Sequence, residues 1–265
     1  VNFNMADWTS YPVNTFSYLG SHVFTPTGGQ ICAAPTFNPL PGLFTAPISV
    51  TISTTTAGAT IFYTTNGTDP TTASSIYTAP ITISATTTLK AMATAPGYSN
   101  SSIATAVYTF PINVPNIAAL RAQPADNTTI YKLTGEVILT FQQTYRNQKW
   151  VQDNTAGMMF DDLAGIVTTQ YNIGDGISNL VGKITEYGGM IEFVPSLNPG
   201  PASSTGNVIT PQVITLNELN TNFENYESEL VKVLNCTFTG ATGNFANGTV
   251  YPITDGTATF NFRTT

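Results

Sequence analysis

Residues 142–150, Gln-Gln-Thr-Tyr-Arg-Asn-Gln-Lys-Trp, gather the side chains of this sequence best suited to hold a ligand. Tyr145 and Trp150 offer flat rings that can stack on a base or on the face of a sugar, and Arg146 can add a planar cation to such a stack. The Asn and Gln side chains between them both donate and accept hydrogen bonds, which suits hydroxyl groups. Arg146 and Lys149 are two of the eight basic residues in the chain. Tyr187, just before the Gly188-Gly189 turn, is the fifth candidate. The same residues also admit a plain reading, in which Trp150 caps a hydrophobic core and Arg146 and Lys149 only keep the rim soluble.

The parts of common catalytic centres are missing from the pattern. His22 is the single histidine and Cys32 and Cys236 are the two cysteines. Cys/His zinc sites and Ser-His or Cys-His nucleophilic systems therefore lack their members. No glycine-rich loop ends in the Lys that would cradle phosphates. Asp161 and Asp162 are adjacent, and neighbours on a strand point to opposite faces, so they read as structural or solvated groups. Glu224, Glu227 and Glu229 read as a wet surface. Asp175 lacks the spacing of a calcium loop. The expectation is a segment with no catalytic residue, no metal and no cofactor. Cys32 and Cys236 stand far apart in unrelated segments, and a bridge between them is not expected.

Composition narrows the class. Of 265 residues, 42% are hydrophobic, enough for ordinary cores, while 9% are charged. That charged share is low against the roughly 25% of average soluble domains. Threonine and asparagine take the place of charge, and threonine suits exposed pleated surfaces, so the chain reads as all-β and extracellular. The net charge of −7 repels phosphate backbones and disfavours nonspecific nucleic-acid binding. No apolar run is long enough for a membrane-spanning helix. Val1-Asn-Phe-Asn4 shows neither the basic region nor the apolar core of a secretory leader.

The elements that must carry the candidate residues form a succession of short strands. Leu133–Phe141 is one; Lys149–Phe160 reads as strand, turn and strand, with Asp153, Asn154 and Gly157 at the turn. A fourth strand reaches Ile184, and a fifth, Met190–Val194, follows the Gly188-Gly189 turn. Five strands with a longer connection after the third resemble the OB-fold family, a small Greek-key barrel. That resemblance implies a ligand surface on strands two and three and the loops joining strands one-two and four-five, where Tyr145, Arg146, Lys149, Trp150 and Tyr187 fall. The pattern then restarts. Ile117–Arg121 returns as Leu216–Asn220, Leu133–Phe141 as Leu230–Phe238 at an offset of about 97, and Val151–Met158 as Ile253–Phe260. The second copy reads as partial, as if the sequence stopped inside a domain.

Ahead of the barrel, Ile48, Val50 and Ile52 alternate as a buried face, Thr60–Thr65 is a strand, and Asn66-Gly-Thr-Asp-Pro70 a turn. The spacing of further strands to Phe110 implies a small β-sandwich. Ile61-Phe-Tyr-Thr-Thr-Asn-Gly-Thr-Asp-Pro-Thr71, Tyr77-Thr-Ala-Pro-Ile81 and Thr88-Leu-Lys-Ala-Met-Ala93 resemble the chitobiase/β-hexosaminidase C-terminal domain family. The resemblance implies an immunoglobulin-like appendage of secreted glycoside hydrolases and surface proteins, without catalytic residues. Asp7-Trp8, Tyr11-Pro12, Asn14-Thr-Phe16 and Leu19-Gly-Ser-His22 resemble the close of lamin-tail-like domains; alternatively Trp8, Tyr11, Phe16 and Tyr18 simply pack on the sandwich.

The expected map is therefore all-β, an immunoglobulin-like β-sandwich plus OB-fold barrels as beads on a chain. It runs from a lamin-tail-like end at 1–28 through the sandwich at 29–110, a proline-rich linker at 111–116 and an OB-fold domain at 117–210 to a partial repeat at 211–265. This order resembles large proteins exported by Bacteroidota-type bacteria through the type IX secretion route. The expected function is display, adhesion or glycan contact at an extracellular or cell-surface location, with glycan or protein surfaces as partners. The alternatives are the substrate-binding accessory part of a secreted nuclease or glycosidase, and a structural or subunit-contact module of a surface assembly.

Overall fold

A computed structural model describes residues 30–264, and the lamin-tail-like reading of the first 28 lies outside them. The regular structure of the described chain is nearly all β, 40% strand against 8% helix, with three short α-helices. It divides into two compact units, one built mainly from residues up to Val107, the other from Tyr108 onward together with Gly42–Ile48 and Ile83–Thr86.

The described chain up to Thr109 is made of short strands, as its turn-rich sequence requires. They are β1 (Gln30–Ile31), β2 (Thr36–Asn38), β3 (Gly42–Leu43), β4 (Ile48–Ser53), β5 (Thr60–Thr64), β6 (Ser75–Ile76), β7 (Ile81–Ile83), β8 (Thr87–Thr94), β9 (Tyr98–Ser99) and β10 (Ala104–Thr109). One sheet has the order β3-β10-β8-β5-β6 and another β2-β4-β7. The expected alternation in β4 holds, with Val50 and Ile52 buried and Ser49, Thr51 and Ser53 exposed. Leu89, Ala91 and Ala93 are wholly buried along β8. The Asn66-Gly-Thr-Asp-Pro70 motif is a turn built by its own side chains. Asn66 Oδ1 accepts from Thr68 N at 3.2 Å and Thr68 Oγ1 at 2.7 Å. Gly67 supplies the positive φ of 79°, and Lys90 Nζ reaches Asp69 at 2.7 Å.

The second unit opens on segment 111–116, expected as a linker. It contains a strand, β11 (Ile112–Val114), paired in parallel with β12 (Tyr131–Leu133). Then follow α1 (Ile117–Arg121), β13 (Val137–Gln142), β14 (Lys149–Gln152), β15 (Gly157–Phe160), β16 (Gly176–Ile177), β17 (Leu180–Tyr187) and β18 (Met190–Pro195). These eight strands form one sheet in the order β11-β12-β17-β18-β15-β14-β13-β16. β12 and β13 are two halves of one bent stretch of chain, so the sheet curls until that stretch lies at both of its sides. β15 and β18 pair in parallel and the hairpins β14-β15 and β17-β18 are antiparallel. The enclosed core includes Leu133, Leu139, Val151, Phe160, Ile184 and Phe193, with the Phe160 and Phe193 rings 5.0 Å apart.

The repeat is legible in backbone pairing. Ile112 pairs with Tyr131 and Gln212 with Val231, an offset of 100 rather than the 97 expected from the sequence. The second copy comprises β19 (Gln212–Ile214), α2 (Leu216–Thr221), α3 (Phe223–Tyr226), β20 (Val231–Val233), β21 (Thr237–Phe238), β22 (Val250–Thr254) and β23 (Thr259–Arg263). One device recurs. Asp153 Oδ2 accepts from Ile117 N at 2.8 Å and Thr155 Oγ1 from Ala118 N at 3.1 Å. Asp255 Oδ2 accepts from Leu216 N at 2.8 Å and Thr257 Oγ1 from Asn217 N at 3.2 Å. In each copy a hairpin turn thus satisfies the free N–H groups that begin the helix.

Candidate functional site

The chain between β13 and β14 folds into a tight 3-10 turn at Tyr145–Asn147. Arg146 and Asn147 both take left-handed backbone angles, φ 50° and 51°. Such angles are uncommon for a residue with a Cβ, and an arginine there needs an external hold. Asp161, immediately after β15, supplies it. Arg146 Nε donates to Asp161 Oδ1 at 2.6 Å, and Nη2 donates to the other carboxylate oxygen. The fork is planar and bidentate, which fixes orientation as well as distance. The Arg146 side chain is 36% exposed and that of Asp161 7%. The fork sets the shape of the turn, since it joins the left-handed residue to the strand end at Asp161.

Asp162 works separately. Its two oxygens accept from Ile166 N at 2.7 Å and Val167 N at 3.0 Å, anchoring the loop after β15. The adjacent carboxylates therefore have different structural partners, in keeping with their expected structural reading.

These loops and the outer face of β17 and β18 enclose a cavity of about 670 Å³. Tyr145 and Tyr187, 68% and 77% exposed, stand at its border. Thr185 and Glu192, paired across β17 and β18, lie in its lining with Arg146 and Asp161. Glu192 is only 6% exposed, yet its carboxylate accepts no hydrogen bond among the described residues. Burial pushes its pKa up, the nearby Asp161 charge adds to the rise, and Arg146 opposes it.

The five candidates do not assemble as one patch. Tyr145, Arg146 and Tyr187 share this cavity. Trp150 lies in a second hollow, of about 470 Å³, with Phe141, Met159, Met190 and residues 228–230 of the second repeat. Its ring stands 5.2 Å from that of Phe141. Lys149 faces inward from β14 beside buried Val151, as strand alternation requires. It is 8% exposed, its Nζ donates to Asn147 O at 3.1 Å, and burial lowers its pKa while Asp162 opposes the shift.

The glutamates read as wet surface include a buried one. Glu227 is 6% exposed; its Oε1 receives Arg121 Nη1 at 3.1 Å and Ile191 N at 3.0 Å. The missed residues, Asp161 as a holder of Arg146 and Glu192 in the cavity lining, had only faint signals. A single acidic residue in the apolar strand Met190–Pro195 was the one mark left by Glu192.

Among the described residues no three His, Cys, Asp or Glu side chains gather as a metal site, and Cys32 and Cys236 are both free. No helix of the described chain is long and apolar enough to cross a membrane.

Residues 39–107 match the family model of the chitobiase/beta-hexosaminidase C-terminal domain. That domain is an immunoglobulin-like carbohydrate-binding module without catalytic residues of its own. The match covers the sandwich and stops short of the curled sheet that carries the cavity. No curated protein and no solved structure matches the chain.

Proposed function

We propose that this chain is a noncatalytic contact module of a secreted or cell-surface protein, in which an OB-type barrel follows the chitobiase C-terminal-like sandwich and contacts glycan through the cavity between Tyr145 and Tyr187. What supports the barrel reading is the strand order. With β12 and β13 counted as one bent strand, the ring runs first-second-third-fifth-fourth-first, the arrangement of a five-stranded Greek-key barrel. The observation that carries the ligand reading is the lining of the cavity: two exposed aromatic rings on a largely apolar wall with Asn127, Gln148 and Thr185 among it, and with Arg146 its one cation and already engaged by Asp161. Rings suit the faces of a sugar, and the hydroxyl and amide groups around them suit its edges. A phosphate backbone finds four carboxylates in the same lining, those of Asp161, Asp162, Glu186 and Glu192.

A glycan array and a fluorescent single-stranded oligonucleotide, each titrated at two salt concentrations, test the reading. Glycan binding should persist with added salt because no counterions are released, and Tyr187→Ala should weaken it about tenfold, roughly 1.4 kcal/mol. Tight oligonucleotide binding that collapses with salt would reverse the assignment in favour of a nuclease accessory.

A further inference from the structure

The cavity has an unbalanced charge. Arg146 and Asp161 cancel in their fork, and Asp162 is committed to two loop N–H groups. Glu192 remains, turned to the cavity and without a hydrogen-bond partner, with exposed Glu186 in the neighbouring strand. Glu192 is buried while its carboxylate oxygens keep some contact with water, and a ligand that displaces this water has to bring the carboxylate a donor of its own. A neutral hydroxyl brings one hydrogen bond. An ammonium group brings a hydrogen bond and an opposite charge, and a charge-assisted bond is about twice as strong.

Resting on the glycan reading above, we infer that the cavity takes an amino sugar, a hydroxylated ring whose protonated amine meets the Glu192 carboxylate while Tyr145 and Tyr187 cover its faces. Thr185, across the strand pair from Glu192, is placed to meet a ring hydroxyl. Acidic sugars are disfavoured by the negative charge that Glu192 and Glu186 leave in the lining. The charged groups that act on Glu192 are Asp161 and Arg146 from the two loops, while Glu186 of β17 stands opposite Ile191. Binding should therefore weaken in acid, as Glu192 takes up a proton at its raised value, and again in base, as the sugar amine loses one.

Calorimetric titration of the full chain with a glucosamine tetramer, its N-acetylated counterpart and a glucose tetramer decides the matter. The titration is run at about pH 6, well below the ~7.7 of a peptide α-amino group, which like the sugar amine stands beside an electron-withdrawing neighbour. The glucosamine tetramer should bind at least tenfold tighter than both neutral tetramers. Glu192→Gln should erase that preference while leaving the neutral tetramers bound, whereas Glu186→Gln should keep most of it. Equal affinities for all three in the native protein, or a preference that survives Glu192→Gln, would overturn the inference and leave glycan contact standing. Absence of binding to all three would sink both. A thermal melt of each variant, with Tyr187→Ala expected to weaken all three ligands alike, separates loss of the site from loss of the fold.

Discussion

Glu192 is a residue whose local chemistry works against the fold that holds it. Burial raises its folded pKa above that of the unfolded chain, so the folded state holds its proton to higher pH. The stability this contributes is fully present below the unfolded value of about 4.3 and is lost as pH rises through the raised folded value. Glu192→Gln carries no such proton. Urea unfolding at a series of pH values should show the native chain losing stability across that window relative to the variant; parallel curves would refute a Glu192 carboxyl raised in the fold. Arg146 is the complementary case. Its left-handed backbone angle is held by the Asp161 fork, and residues kept in such positions are places to look for function.

At the scale of elements, the sequence foretold more than it could explain. The recurrence of Asp153-Asn-Thr-Ala as Asp255-Gly-Thr-Ala was visible and Asp153 does bond the turn, but Gly157 belongs to β15 rather than to the turn, and the reason for the recurrence was not read. The aspartate and threonine of each turn also start a helix some 40 residues earlier in the chain. Such a bond joins distant segments and leaves no periodic trace. Asp153→Ala removes the partner of the wholly buried Ile117 N–H and of the turn at once, and should cost about 1–3 kcal/mol in chemical denaturation. An unchanged midpoint would deny the turn its capping role. Lys149 teaches the reverse lesson. Grouping it with Trp150 treated 142–150 as one loop, whereas β14 begins at Lys149 and sends the two side chains to opposite faces. The five strands could be read from turn residues and alternation; where a loop stops and alternation starts is the least marked point in a sequence. The buried face of β4 was clear for the opposite reason, since uninterrupted alternation announces it.

Across the second unit, the two repeats are joined through specific contacts. Arg121 of α1 meets Glu227 at 3.1 Å, with side-chain exposures of 16% and 4%. Gln152 Oε1 accepts from Leu230 N at 3.0 Å. Gly157 lies so close to Ser228 O that a Cβ would strike it, with Glu229 N only 2.7 Å from the same point. These contacts tie β14, β15 and β18 to the segment between α3 and β20, which a chain of independent beads would not need. Arg121 and Glu227 lie 106 residues apart in the chain, Gln152 and Leu230 78, and Ile191 and Glu227 36, which is why Glu227 read as surface. Segment 111–116 is held likewise, with Ile112 N donating to Ile130 O and Thr134 N to Val114 O, each at 2.9 Å. Limited proteolysis should spare 111–116, because cleavage needs a strand to leave its ladder. Glu227→Ala should be the sensitive change: Arg121 and Ile191 N both lose their acceptor, and breaking a buried ion pair from one side costs about 3–5 kcal/mol. Hydrogen exchange of the variant should rise in β19, β20 and α2 as well as in α1. Acceleration confined to residues near Glu227, with early cutting inside 111–116 in the native chain, would show that barrel and repeat open separately and that the contacts between them bind nothing together.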